Sequence, residues 1–131
     1  MSAEELLFFK GKRILIIEDD LGMRKNILYQ MNQFGSIPEV AETIERALDA
    51  HKDKKFDIVV FDVHKCIDNI SCIEFINGLK QVNSDVYIIG IFDYFEHDQR
   101  DELIGTGIHN VVSKQQFLEM QFLSANTLAL A

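Results

Sequence analysis

Three carboxylates and one lysine, drawn from distant parts of the chain, are the residues that could do chemistry together. Glu18 and Asp19 follow the apolar run RILII. Asp62 ends the run FDIVVFD, and Lys114 follows the run NVVS. Carboxylates that lie close together repel one another and need a cation, and Mg²⁺ prefers such hard oxygen ligands. Because Mg²⁺ often shares its coordination sphere with a phosphate, these residues could hold a phosphoryl group while a carboxylate attacks it.

The elements that would position these residues alternate between strands and helices. The predicted strands span 13–17, 36–41, 56–62, 85–92 and 110–113. Such alternation is typical of an α/β fold, in which helices cover both faces of a parallel sheet. The carboxyl ends of parallel strands meet at one edge of the sheet, where ligands bind in open α/β folds. We therefore expect the carboxylates and the lysine to converge at that edge.

The helices between these strands carry start signals. Asp20 and Thr43 are predicted to cap the first two helices, because a side-chain oxygen can accept from a free amide in the first turn. Ser71 and Glu74 have the spacing of a capping box for the third helix. The predicted helices span 21–34, 43–51 and 71–82, followed by a short, poorly amphipathic helix and a last helix over 115–131.

Composition and length narrow the class of protein. The 131 residues suit one domain, which we expect over 12–131 after an extension over 1–11. The net charge of −8 argues against a nucleic-acid surface. A negative net charge is typical of a domain that gathers carboxylates around a cation, but it could also serve only to keep the protein soluble. No apolar run approaches the ~18 residues that span a membrane. Because Cys66 and Cys72 give no disulfide framework, we expect a reduced, cytoplasmic chain.

In this order and spacing, the motifs resemble the receiver domains of two-component response regulators over residues 12–131. RILIIEDD resembles the family's first strand and acidic pair, carried here by Glu18 and Asp19. FDIVVFD resembles its third strand and places Asp62 at the phosphoacceptor position. GTGIHNVVSK resembles the segment that ends in the family's lysine, here Lys114. The resemblance implies a flavodoxin-like fold with five strands in the order 2-1-3-4-5.

The resemblance also implies an activity and its partners. A histidine kinase or a phosphotransfer protein would pass a phosphoryl group from a phosphohistidine to Asp62. Mg²⁺ would be held by Glu18, Asp19, Asp62 and the backbone carbonyl of His64. Such a domain is at most a self-phosphorylating phosphoacceptor rather than a conventional enzyme, and it would bind neither nucleic acid nor membrane directly.

The sequence departs from the family at the residues that normally report phosphorylation. The family usually has Ser or Thr at the end of the fourth strand, where this chain has Phe92, or Gly90 if the alignment slips by two residues. The usual aromatic residue of the fifth strand is Val111, and the usual Pro after the lysine is Gln115. We interpret Phe92 and Val111 as a switch position in which Phe92 fills the volume of the inward-turned aromatic and holds one state.

The last helix has apolar side chains on more than one face. They are Phe117, Leu118, Met120, Phe122, Leu123, Ala125 and Leu128. A helix that is apolar on most sides is buried on most sides. We expect this helix to contact a second copy of the chain or a downstream output domain, with an ordinary core helix as the simpler interpretation.

Three other functions compete with phosphoryl acceptance. The first is a pseudo-receiver, a protein-interaction module that is independent of phosphorylation, which the residues at 92, 111 and 115 favour. The second is a hydrolytic phosphatase, for which no second general acid is evident near Asp62. The third is a soft-metal site formed by His64, Cys66, Asp68 and Cys72, whose spacing matches no common zinc pattern.

Overall fold

The computed structural model describes residues 8–32, 36–65, 69–93 and 97–118, and these residues form a five-stranded sheet with helices. The strands are β1 (Ile14–Ile17), β2 (Glu39–Ala41), β3 (Ile58–Asp62), β4 (Tyr87–Phe92) and β5 (Asn110–Ser113). Their order is β2-β1-β3-β4-β5, and every neighbouring pair is parallel. The predicted flavodoxin-like α/β fold with strand order 2-1-3-4-5 is confirmed.

Five described helices connect or follow these strands. They are α1 (Leu21–Asn32), α2 (Ile44–Lys54), α3 (Asn69–Val82), α4 (His97–Gly105) and α5 (Lys114–Leu118), and a short 3-10 turn (Val63–Lys65) follows β3. Asp20 Oδ1 accepts a hydrogen bond from the Met23 amide at 2.9 Å, and Thr43 Oγ1 accepts one from the Arg46 amide at 3.1 Å. Both predicted caps are therefore confirmed.

Two helix boundaries differ from the prediction. Helix α3 begins at Asn69, so Ser71 lies inside its first turn and the predicted capping box is wrong. The Ser-x-x-Glu spacing also occurs within helices. Neither Asn69 nor Ile70, which precede Ser71, prevents a helix from starting earlier. Helix α2 continues past His51 to Lys54, and it ends at Lys55, which adopts a left-handed conformation with φ of 54°.

The buried ring of His51 explains why α2 does not end there. The Phe56 amide donates to His51 Nδ1 at 3.0 Å. The proton is therefore on Nε2, which lies 3.0 Å from the Leu79 carbonyl oxygen and donates to it. The ring thus ties the end of α2 to the approach to β3 and to α3, and the helix must continue far enough to place it.

The sheet separates two apolar cores. One core contains Val59 and Phe61 of β3 and packs against α2 and α3. The other contains Ile58 and Val60 of β3 and packs against α1 and α5. Every residue of β3 is buried, as predicted for a strand that is covered on both faces.

The aromatic residues before β1 join the second core. Phe9 is buried, and its ring makes an edge-to-face contact with Phe8 at 5.0 Å. Phe8 makes a similar contact with Tyr87 at the start of β4, also at 5.0 Å. The two described aromatic residues of the extension therefore pack against the sheet.

The expectation of a reduced chain is wrong for Cys72, which is buried and disulfide-bonded. Cys66, the other cysteine of the chain, lies outside the described residues. Counting cysteines could not decide this, because a disulfide requires close approach of two Cα atoms in the folded chain. A disulfide-bonded sulfur also cannot act as a thiolate ligand, which removes Cys72 from the soft-metal interpretation.

The last helix is described only at its beginning. Phe117 is buried in the second core, and Leu118 packs against it. The other apolar residues of that helix, from Met120 onwards, lie outside the described residues. Among the residues that the structure describes, no helix has the length and hydropathy needed to cross a membrane.

Candidate functional site

The ends of three strands bring Glu18, Asp62 and Lys114 together. Glu18 directly follows β1, Asp62 ends β3, and Lys114 directly follows β5. Lys114 Nζ lies 3.0 Å from Asp62 Oδ2 and 3.2 Å from Glu18 Oε2. The convergence of these residues at one edge of the sheet follows from the parallel register of β1, β3, β4 and β5.

The two carboxylates that lie nearest to Lys114 are buried. Glu18 is 1% exposed and Asp62 is 7% exposed. Burial alone would lower the pKa of Lys114, but the carboxylates of Asp62 and Glu18 outweigh burial and raise this pKa above its ordinary value. The lysine is therefore fully charged at neutral pH, and its charge offsets two carboxylates that water cannot solvate well.

Backbone amides fix the direction of both carboxylates. Asp62 Oδ1 accepts a hydrogen bond from the His64 amide at 2.9 Å, which leaves Oδ2 directed towards Lys114. Glu18 Oε1 accepts from the Asp20 amide at 3.0 Å. Glu18 Oε2 is buried and lies within ion-pair range of Lys114, but it accepts no hydrogen bond of good geometry from the described residues. That oxygen therefore has a lone pair that could also coordinate a cation.

Asp19 is directed to a different lysine. Its carboxylate pairs with Lys65 Nζ, at the end of the turn that follows β3. The hydrogen bond from Lys65 is the main reason that the pKa of Asp19 lies below its ordinary value. The side chain of Asp19 is 60% exposed, in contrast to Glu18 and Asp62. The acidic pair is thus divided between two ammonium groups.

The predicted metal ligands are not assembled around one point. In the described part of the chain, no three His, Cys, Asp or Glu side chains are arranged to hold a metal ion. The chemistry of the donor set nevertheless fits a hard divalent cation, because Glu18, Asp19 and Asp62 offer carboxylate oxygens at one edge of the sheet. The metal-binding role of these residues and of the His64 carbonyl stays a prediction.

Sequence reasoning missed two charged residues of the site. Asp93 follows β4 directly, and its Oδ1 lies 3.8 Å from Lys114 Nζ. The strand-end rule that identified Asp62 would also have identified Asp93. Lys65 is the second, and its position in a turn gave no indication of the direction of its side chain.

Phe92 ends β4 at the same edge and is partly buried. It packs against the core that contains Val111, so its ring is not directed wholly to solvent. Gly90 pairs with Val111 across the sheet, and a Cβ atom on Gly90 would lie 2.8 Å from Val63 Cγ1. A side chain at position 90 is therefore excluded by the turn after β3, while position 92 has space for a large one. The switch role of Phe92 and Val111 stays a prediction.

Comparisons with known proteins agree with this architecture. The family model described as the response regulator receiver domain matches residues 14–123. No curated protein gave a significant match to the sequence.

Solved structures with the same fold include proteins in phosphorylated or activated forms. The receiver domain of the histidine kinase CKI1 from Arabidopsis thaliana, complexed with Mg²⁺ and BeF3⁻, has a TM-score of 0.71 at 18% identity, covering 93% of this chain and 93% of that one. A response regulator from Burkholderia pseudomallei with a phosphorylated aspartic acid, calcium ion and citrate has a TM-score of 0.71 at 19% identity, covering 91% of this chain and 71% of that one. The beryllofluoride-activated NtrC4 receiver domain dimer has a TM-score of 0.67 at 19% identity, covering 86% of this chain and 97% of that one.

Proposed function

The chain belongs to the receiver-domain family of response regulators, and we propose that it accepts a phosphoryl group on Asp62 from a phosphohistidine of a histidine kinase or phosphotransfer protein. The observation that carries this proposal is the contact of 3.0 Å between Lys114 Nζ and Asp62 Oδ2. In this contact, a positive charge lies beside the oxygen that would attack. The match to the family over residues 14–123 supports the same assignment.

The proposed transfer uses the two oxygens of Asp62 differently. Oδ1 stays hydrogen-bonded to the His64 amide, while Oδ2 attacks phosphorus. The O–P bond forms, the P–N bond to the partner's imidazole breaks, and the imidazole leaves with the bonding electrons. Before transfer, Lys114 pairs with the Asp62 carboxylate, and after transfer it would pair with the phosphoryl oxygens. Catalysis of this kind consists mainly of positioning and charge neutralisation.

We propose Mg²⁺ as the cation of the site, held by Glu18, Asp19, Asp62 and the His64 carbonyl. When bound, it would neutralise the negative charge that gathers between the carboxylates and the phosphoryl oxygens. The buried Glu18 Oε2 supports this assignment, because the polar contact that it makes among the described residues is the ion pair with Lys114, which a metal ion could share. Of the solved structures that share the fold, the CKI1 receiver domain is complexed with Mg²⁺, and the response regulator from Burkholderia pseudomallei contains a calcium ion.

The signal would leave through the last helices, towards a second copy of the chain or an output domain. Phe117 anchors α5 in the second core, and Lys114 is the first residue of this helix, so a change at Lys114 acts directly on α5. The NtrC4 receiver domain, which shares the fold, is a dimer when activated by beryllofluoride. Sedimentation velocity with and without beryllofluoride tests this part of the proposal, and an unchanged sedimentation coefficient at all concentrations would count against self-association.

Intact-mass spectrometry after incubation with acetyl phosphate and Mg²⁺ tests phosphoryl acceptance. We expect the wild-type chain to gain the mass of one phosphoryl group and the Asp62→Asn variant to gain none. Asp49→Asn, at an exposed position of α2, is the matched control and should behave as the wild type. A chain that stays unmodified would support a phosphorylation-independent interaction module, and equal modification of Asp62→Asn would place the acceptor elsewhere.

A further inference from the structure

We infer that Lys65 is a built-in counter-cation that competes with the divalent metal ion for Asp19. This inference deepens the proposed function and rests on the metal site proposed there. It assigns to a residue in the turn after the phosphoacceptor a role in setting metal affinity. Asp19 would release Lys65 before it could bind the metal ion.

The contact between Lys65 and Asp19 is the first observation that carries this inference. Lys65 Nζ pairs with Asp19 Oδ2, and it lies three residues after Asp62 in the chain. The Lys65 side chain is only 23% exposed, whereas that of Asp19 is 60% exposed. The lysine is therefore the more constrained partner of the pair.

The surroundings of Lys65 include residues of two helices. Lys65 lines a cavity of about 270 Å³ together with residues of α2 and α3, which are Ile44, Glu45, Leu48, Ser71, Glu74 and Phe75. An aliphatic lysine stem can lie along apolar side chains of this kind while the ammonium group reaches a polar partner. The ammonium group of Lys65 pairs with Asp19, although two other carboxylate residues border the same cavity.

The division of charge at the site is the second observation. Lys114 takes Glu18 and Asp62, and Lys65 takes Asp19, so the three proposed carboxylate ligands are all paired with lysines. This pairing gives a physical reason why no three acidic side chains are gathered around one point in the described residues. Four carboxylates, with Asp93 counted, and two ammonium groups leave a formal charge of −2, which attracts a divalent ion less than the −3 that would remain without Lys65.

The solvent exposure of the ion pair between Lys65 and Asp19 sets how strongly it can weaken Mg²⁺ binding. An ion pair with one partner well exposed to water is weak, and the metal ion can displace it. We therefore expect removal of the Lys65 charge to tighten Mg²⁺ binding by about two- to fivefold. The difference should shrink at high ionic strength, because salt screens the exposed pair.

Isothermal titration calorimetry with Mg²⁺ on the full chain tests the inference. Lys65→Met keeps an unbranched apolar stem and removes the charge, and Lys65→Gln is a second variant in case the first fails to fold. Lys52→Met, at an exposed position of α2, changes the net charge equally and is the matched control. We expect tighter binding for either Lys65 variant and an affinity close to that of the wild type for Lys52→Met.

A double-mutant cycle with Asp19→Asn separates competition from a general charge effect. If Lys65 acts through Asp19, its removal in the Asp19→Asn background should have a clearly smaller effect on Mg²⁺ affinity. The inference is overturned if Lys65→Met and Lys52→Met bind Mg²⁺ equally, if Lys65→Met binds more weakly, or if no variant binds it. Because the readout is metal affinity, failure of this inference is distinguishable from failure of Asp62 to accept a phosphoryl group.

Discussion

Lys114 balances two carboxylates that the fold keeps away from water. Its ammonium group lies within 3.2 Å of both Glu18 and Asp62, and both carboxylate residues are buried. A buried charge that loses its partner costs free energy, because neither water nor another group compensates it. Lys114 therefore contributes to the stability of the unphosphorylated domain as well as to the proposed chemistry.

Replacement of Lys114 by Met should lower the free energy of unfolding at pH 7 by about 1–3 kcal/mol. Because the carboxylates raise the pKa of Lys114 in the folded chain, the stabilising charge is fully present at pH 7. Urea unfolding at pH 7 measures the loss, with Lys52→Met as the control of equal charge change. A loss no larger than that of Lys52→Met would show that the Lys114 charge does not stabilise the fold.

At the scale of the elements, two side chains connect secondary structures that the sequence presents as separate. His51 joins α2, the approach to β3 and α3 through two hydrogen bonds. Phe92 packs at the end of β4 against the core that holds Val111 of β5. Each contact couples the stability of one element to that of its neighbours, and each can be tested by substitution.

His51 should make the domain less stable in mild acid. Burial lowers the pKa of His51 below its ordinary value, because the charged ring would lose its hydration, and the hydrogen bond to the Leu79 carbonyl offsets this only in part. The unfolded chain then binds the proton more readily than the folded chain once the pH falls below about 6.5. The stabilisation is therefore complete above that pH and is lost as the pH falls towards the lower pKa of the folded state.

Urea unfolding at pH 7.5 and 5.5 measures this dependence. His51→Gln should cost about 1–3 kcal/mol at pH 7.5, through the loss of a buried hydrogen bond, and should flatten the pH dependence. His109, whose pKa burial also lowers, contributes in the same direction and should leave a residual slope. His64→Gln is the control at an exposed ring, and a pH dependence that persists unchanged in His51→Gln would contradict the assignment.

Phe92 and Val111 should behave as a coupled pair if the large and the small side chain share one space. Phe92→Thr should destabilise the domain by about 1–3 kcal/mol, because it removes a partly buried ring. Adding Val111→Phe should recover part of this loss, although Val111→Phe alone should be destabilising through overpacking. A double-mutant cycle of unfolding free energies tests the pair, and strictly additive costs would show that the two positions do not share volume.

For the whole molecule, the sequence predicts the sheet and its strand ends better than it predicts which lysine pairs with which carboxylate. The apolar runs predict all five strands, and the position of Asp62 at a strand end predicts its proximity to Glu18 and Lys114, because parallel strands share an edge. The partner of Asp19 could not be predicted, since Lys65 lies in a turn and its side chain meets Asp19 only in the folded chain. The end of α2 and the disulfide at Cys72 depend similarly on contacts between distant elements.

We propose that Asp62, Lys114 and the acidic pair form one site that holds a phosphoryl group. Fluorine NMR of beryllofluoride with Mg²⁺ is the decisive experiment, because beryllofluoride mimics a phosphoryl group on a carboxylate. We expect a bound fluoride signal for the wild-type chain that disappears in Asp62→Asn and weakens in Lys114→Met. A wild-type chain with no bound signal, or a signal that Asp62→Asn retains, would show that these residues do not form such a site.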